Sequence, residues 1–183
     1  MKNIIQFLDL GRHPITNNFL NKKNSKKEFF YNLKLIFNNK SKLVSLAKFV
    51  PPKKMFNEKY AHRASASKTM SLAYSNLAKS IKNKFKPKSI LEIGSNDGVF
   101  IKHFNNIRNL GVEPCKNLAK ITTRIGVKTY DEFWTYKTSK KIVNQIGKVD
   151  VIYSANTISH IHNLNETFKA INYALSENGV FIL

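Results

Sequence analysis

Cys115 is the only cysteine in the chain, so no disulfide can form within it, and a cytoplasmic setting fits. No apolar run approaches the roughly 20 residues that a membrane span needs. The first residues hold neither a continuous apolar stretch nor a small-residue cleavage site, which speaks against secretion. Internal repeats are absent. Acidic residues are scarce, 11 against 31 lysines and arginines, for a formal net charge of +20. Such a charge attracts anions: nucleic acid, an acidic membrane surface or a phosphorylated substrate. The lysines are scattered, however, and they accompany abundant Asn and Ile. That is the usage of an AT-rich genome, and we read the excess as compositional. Its field would still draw in a nucleotide diphosphate.

The 183 residues, 42% of them hydrophobic, suffice for one packed domain and a small appendage. The rest of the chain is organised around Ser89 to Phe100. Ile90, Leu91 and Ile93 form a short β-branched run of the kind found in a buried parallel strand. Gly94 and Gly98 then break the run. Strand, glycine turn and helix is the layout that holds an adenosine-type ligand at the carboxyl edge of a parallel sheet. Asn96 stands where such loops often carry another glycine, and Asn tolerates positive φ. The loop has neither the Gly-Lys-Ser/Thr ending of a P-loop nor a full G-x-G-x-x-G, which lowers the case for ATP or NAD. Glu92 and Asp97 place carboxylates beside the ligand. They suit one without phosphates, such as the sulfonium S-adenosylmethionine. An ordinary strand-to-helix turn is the alternative. Glu113 shifts the balance, because it ends a second strand (109–113) at about the 20-residue separation expected of a ribose-binding acid. A carboxylate can accept both protons of a vicinal diol.

The remaining chain alternates strands and helices. Residues 1–55 are the least regular, with turn residues in 8–15, an exposed loop over 17–27 and a strand over 29–37. Ser65 or Ser67 caps a helix running to about Phe85, with Met70, Leu72, Ala73, Leu77, Ile81 and Phe85 as its apolar face. A helix over 99–107 follows the glycine loop, with Phe100, Ile101 and Phe104 inward. Pro114 opens the next helix, which carries Leu118, Ile121 and Ile125 and stops at Gly126. A third strand covers 127–130. After it, Asp131, Glu132, Phe133 and Trp134 either hold an adenine or, for the two aromatics, pack in the core. A helix over 140–146, a strand over 149–153, a helix capped by Asn163 or Asn165 with Phe168, Ile171 and Leu175 inward, and a strand over 180–183 complete the series. This alternation implies an α/β, doubly wound, mostly parallel sheet. The stop inside an apolar strand reads as a truncation.

The chain resembles class I S-adenosylmethionine-dependent methyltransferases, a Rossmann-like fold. More narrowly, it is similar to the C-methyltransferases of nucleotide-linked keto-deoxysugars. The blocks that carry the likeness are Leu8 to Gly11 with Pro14 and Asn18 to Leu20, Val50-Pro51-Pro52 with Phe56 and Tyr60, Ser65 with Ser67, Leu91 to Gly98, Gly111 to Pro114, and Asp150 to Ile152 with Asn156 and His160-Ile161. The resemblance implies a lobe over 1–64 and a cofactor domain over 65–183. Family members carry two Cys-x-x-Cys pairs in that lobe. None remains here, so no structural zinc is expected, and His13 and His62 are too dispersed to replace the cysteines. The resemblance also implies a later domain, with a Glu-His motif and aromatics around the sugar, beyond Leu183.

The resemblance implies carbon methylation: a base removes a proton beside a ketone, and the enolate takes the sulfonium methyl. Gly94, Asn96, Asp97 and Gly98 would shape the cofactor cleft together with Glu92. Glu113 would take the ribose, Glu132 and Phe133 the adenine, and Asn156 the methionine end. His160 would be the base or a substrate contact, with His162 solvated, and Tyr60 would face the sugar. Two other readings stand beside this one. One is a remnant that binds cofactor without turnover. The other is a nucleic-acid methyltransferase favoured only by charge, against which no Asn/Asp-Pro-Pro-Tyr/Phe motif follows the fourth strand. The sugar, the methylated carbon and the oligomeric state are not readable from sequence.

Overall fold

The computed structural model describes residues 3–183, and the chain falls into two compact units, Met1–Ala61 and His62–Leu183. In the first unit, β1 (Ile4–Pro14) pairs antiparallel with β2 (Phe30–Asn38), and β2 pairs with β3 (Val44–Leu46). The expected strand over 29–37 is thus β2. The turn residues in 8–15, by contrast, do not reverse the chain. Gly11 (φ +78°) sits in a register shift between Asp9 and Arg12, and its N–H donates to Asp9 Oδ1 at 3.0 Å. A bulge absorbs the extra residues and the strand runs on. The segment read as least regular therefore carries the longest strand of the described residues. A single helical turn, α1 (Pro52–Met55), follows, with Pro52 in its first turn.

The second unit holds a parallel sheet of β4 (Ser89–Ile93), β5 (Arg108–Val112), β6 (Lys128–Tyr130), β7 (Val149–Tyr153) and β8 (Leu175–Ile182), in the order β6-β5-β4-β7-β8. The order reverses between β5 and β7 around β4, which makes the end of β4 the switch point where such sheets open a ligand crevice. All five residues of β4 are buried, because both faces are covered. Leu91 and Ile93 pack with Trp134, Ile142, Ala170 and Ile171 on one side. Ile90 packs with Ala78, Ile81, Phe100, Phe104 and Tyr153 on the other. Each such Ile, Leu or Phe contributes about 1.5–3 kcal/mol of burial. Helices α2 (Lys68–Phe85), α3 (Lys116–Arg124), α4 (Tyr136–Ile146) and α5 (Leu164–Ala174) supply the cover.

Several local expectations need correction. Ser67, whose side chain accepts from Met70 N–H at 3.2 Å, caps α2; Ser65 does not. Leu72 lies 64% exposed and Phe85 37%, while Ala78 and Ile81 form the buried stripe of α2. Phe168 is likewise exposed on α5, where Ala170, Ile171 and Ala174 are buried. The helix expected over 99–107 is only a 3₁₀ turn, Ile101–Phe104. Phe100, Ile101 and Phe104 are all completely buried, with the Phe100 ring 4.0 Å from that of Tyr153 and 5.3 Å from that of Phe104. This packing winds the link tightly between β4 and β5. Helix α4 begins at Tyr136, earlier than expected, because Thr135 caps it. Strand β8 begins at Leu175, and the shift in its pairing with β7 between Val149 and Val151 absorbs residues 176–179. Among the described residues, no helix is long and apolar enough to cross a membrane.

Candidate functional site

Where β4 ends, the chain swings across the tip of β5. The N–H groups of Gly94 and Ser95 both donate to Val112 O, at 2.8 and 3.2 Å. Gly94 (φ +75°), Asn96 (φ +49°) and Gly98 (φ +79°) all adopt the left-handed region, so the expectation for Asn96 holds. Glu113 closes the turn from the adjacent strand end. Its Oε2 accepts from Asn96 N–H at 2.8 Å and its Oε1 from Cys115 N–H at 2.9 Å. Thr122 Oγ1, on α3, donates to Asn96 O at 2.9 Å. Thr157, beyond β7, packs against Gly94 from the opposite side.

Three carboxylates meet here out of water: Glu92, Asp97 and Glu113 are 5%, 4% and 5% exposed. Among the described residues no lysine or arginine forms an ion pair with any of them. Burial pushes Glu92 well above the usual carboxylate range; the Ile101 N–H opposes this, and the charges of Glu113 and Asp97 add to it. Burial also raises Glu113, against the N–H groups of Cys115 and Asn96. Glu92 Oε2, Asp97 Oδ1 and Ser95 Oγ are buried without a hydrogen-bond partner among the described residues. Leaving such atoms unmet costs about 1–3 kcal/mol each. The arrangement suits a compact ligand that carries positive charge and N–H or O–H donors.

Glu92 gives the unliganded protein a pH signature. Its folded pKa exceeds the ordinary value of 4.5, so the native state holds a proton that the unfolded chain has lost. The stability this proton confers is present below that value and is lost as pH rises through the raised native pKa. Glu92→Gln removes the titration. We expect its melting temperature to exceed that of the wild type near pH 8, with the gap closing toward pH 4. Parallel pH dependence of the two proteins would contradict the assignment.

The structure thus gathers Glu92, Gly94, Asn96, Asp97, Gly98 and Glu113 at one sheet edge. It uses Glu132 differently: its carboxylate pairs with Lys141 Nζ and accepts from Thr138 Oγ1 at 3.3 Å, both on α4. Phe133 is half-buried. Trp134 is a core residue whose Nε1 donates to Thr167 O at 3.4 Å. Asp131 lines a depression of about 320 Å³ with Lys116, Lys120, Thr123 and Arg124, apart from the glycine loop. Asn156 (φ +52°) and His160 are exposed beyond the carboxyl end of β7, His160 on the 3₁₀ turn Ile158–His160. Tyr60 belongs to the first unit, its ring 5.5 Å from that of Phe56. From sequence, Thr122 and Thr157 take no part in the site, and Ser65 is only a cap candidate and a block of the resemblance; the structure brings Ser65, Thr122 and Thr157 all to the loop. The first two meet the loop through hydrogen bonds and the third through packing, and no local pattern announces such contacts.

Comparison with known proteins yields two family profiles. Residues 60–183 match the family described as "Methyltransferase domain" and residues 1–56 the one described as "Putative zinc binding domain". The C-methyltransferase NovU of Streptomyces niveus is 27% identical over 96 residues, 51% of this chain and 23% of that protein. Among solved structures, the plantazolicin methyltransferase BamL, in complex with a triazolic desmethylPZN analog and SAH, is 18% identical with a TM-score of 0.49 over 60% of this chain and 44% of its own. CalS10 of Micromonospora echinaspora, a SAM-bound amino pentose methyltransferase, is 16% identical with a TM-score of 0.47 over 61% of this chain and 48% of its own. The chain therefore spans about a quarter of the curated relative's length and under half of either structure's.

Proposed function

Since the chain belongs to the family described as "Methyltransferase domain", we propose that it binds S-adenosylmethionine at the 94–98 loop and belongs to a C-methyltransferase of nucleotide-linked keto-deoxysugars. The observation that carries the cofactor reading is the trio of buried carboxylates, none of them paired with a lysine or arginine among the described residues. When bound, the cofactor supplies an electrophilic methyl group on a sulfonium. Glu92 and Asp97 offer their unmet oxygens to its cationic amino-acid end, and Ser95 Oγ adds a polar contact. Glu113 keeps lone pairs beyond the two it gives to Asn96 and Cys115, and these accept the ribose hydroxyls. Asn156 lies at the same sheet edge for the methionine end. Glu132, committed to Lys141, and Phe133 take a lesser part in the adenine pocket.

The substrate reading rests on the likeness to NovU and on the motif resemblance. His160 is the group proposed to take the proton beside the substrate ketone, because its imidazole can accept a proton and it stands past the end of β7. Zinc does not fit the chain: residues 1–56 contain no cysteine, and their one histidine, His13, meets Leu10 O through Nε2 at 2.8 Å. No step is assigned to it. A small-molecule substrate in the cytoplasm accords with this reading.

Calorimetric titration of the chain with S-adenosylmethionine and S-adenosylhomocysteine tests the cofactor assignment. Saturable binding is expected with a dissociation constant in the range of about 1 µM to 1 mM usual for enzyme ligands. Folded protein that gives no heat with either would refute it. Methyl transfer to a nucleotide-linked keto-deoxysugar, measured by mass spectrometry on the whole protein, tests the substrate.

A further inference from the structure

Just ahead of α2, residues His62–Ala66 form a strap with little structure of its own, a 3₁₀ turn at Ala64–Ala66. Of these residues only Ala64 is buried. The strap is fastened to the ligand loop by the loop's own side chains. Asn96 Oδ1 accepts from Ala64 N–H at 2.9 Å, and Asn96 Nδ2 donates to His62 O at 3.3 Å. Asp97 Oδ2 accepts twice from Ser65, from its N–H at 3.2 Å and from its hydroxyl at 2.6 Å. Asp97 is 4% exposed, and its other oxygen, Oδ1, is buried without a partner among the described residues.

The two oxygens of Asp97 therefore face different tasks. We propose that Ser65 is a positioning residue of the ligand site: it captures Asp97 Oδ2, leaves Oδ1 for the ligand, and so couples the His62–Ala66 strap to ligand binding. The inference rests on the cofactor reading above and deepens it. A short hydroxyl-to-carboxylate bond is a strong, charge-assisted one. It removes a rotational choice from a side chain that must otherwise be ordered at the moment of binding. Coupling is reciprocal: a ligand that holds Oδ1 steadies the carboxylate, and the steadied carboxylate holds the strap. Asn96 reinforces the link, since its side chain serves the strap while its backbone is held by Glu113 and Thr122.

The experiment compares wild type, Ser65→Ala and Ser65→Thr as full chains. It uses calorimetric titration with S-adenosylhomocysteine and amide hydrogen exchange with and without that compound. Ser65→Ala is expected to bind about tenfold more weakly, the scale of a lost hydrogen bond to a charged group, with little change in unliganded melting temperature because Ser65 is exposed. Ser65→Thr keeps the hydroxyl and should bind within about twofold of wild type. A purely structural serine would not produce this pattern. In wild type the amides of Ala64 and Ser65 should gain protection with ligand, and in Ser65→Ala they should not. Equal affinity of wild type and Ser65→Ala, failure of Ser65→Thr to restore binding, or strap protection indifferent to ligand would each overturn the proposal. A wild type that binds no S-adenosylhomocysteine would instead bring down the cofactor reading, and this inference with it.

Discussion

Glu113→Ala is expected to weaken S-adenosylmethionine binding by about 100-fold or more, equivalent to roughly 2.8 kcal/mol at 1.4 kcal/mol per decade. Two losses combine. The substitution removes the carboxylate assigned to the ribose. It also strips the acceptor from Asn96 N–H and Cys115 N–H, now at 2.8 and 2.9 Å. Each orphaned donor costs about 1–3 kcal/mol where water cannot reach it, and the loop that should be held for the ligand is released instead. Glu113→Gln offers a graded control. It keeps one oxygen acceptor and replaces the other with a donor that opposes a backbone N–H, so its loss should fall between wild type and Ala. Calorimetric titration reads the effect directly. Glu113→Ala within about threefold of wild type would mean that the second strand end plays no part in the site.

Gly94→Ala should be the most destabilising single methyl in the second unit. A Cβ there would lie 2.1 Å from Thr157 Oγ1, 2.8 Å from its Cγ2 and 2.9 Å from its Cβ, so rotation of the threonine cannot clear it. The φ of +75° adds the left-handed penalty of about 1–2 kcal/mol, and overpacking adds about 1–3 kcal/mol. The sum lowers the melting temperature by roughly 5–15 °C for a chain of this size. Thr157→Ala removes two of the three clashing atoms and leaves the strain in φ. The double variant should therefore recover only part of the loss, and a thermal double-mutant cycle would show favourable coupling. Gly94→Ala melting within about 2 °C of wild type would contradict this.

Strands were legible wherever both faces are covered. Ile90, Leu91 and Ile93, and Val149 to Tyr153, are short apolar runs interrupted only by Glu92 and Asp150, and the structure forms β4 and β7 on them. Caps were legible for a similar reason: Ser67 and Asn163 act on a donor three residues ahead. Faces were harder. Leu72 and Phe168 sit at helical spacing from buried neighbours, yet both are exposed, because spacing alone does not say how much of a helix its neighbours cover. In the lobe, Gly11 gives the signal of a turn, whereas a bulge lets a strand keep such a residue. Glu132 looked available for a ligand, and only the approach of α4 gave it Lys141 and Thr138.

By itself the sequence determined the α/β alternation, the left-handed turn at Gly94, Asn96 and Gly98, and the placing of Glu92, Asp97 and Glu113 near one sheet edge. These follow from short-range rules: backbone sterics, period and strand length. Only the tertiary structure decided that the three acids would be buried together without a lysine or arginine partner among the described residues, that Glu113 would spend both oxygens on backbone N–H groups, and that Ser65 would bind Asp97 across 32 positions of chain. Desolvation and hydrogen-bond pairing depend on what packs alongside, and packing partners far apart in the chain leave no periodic trace in it.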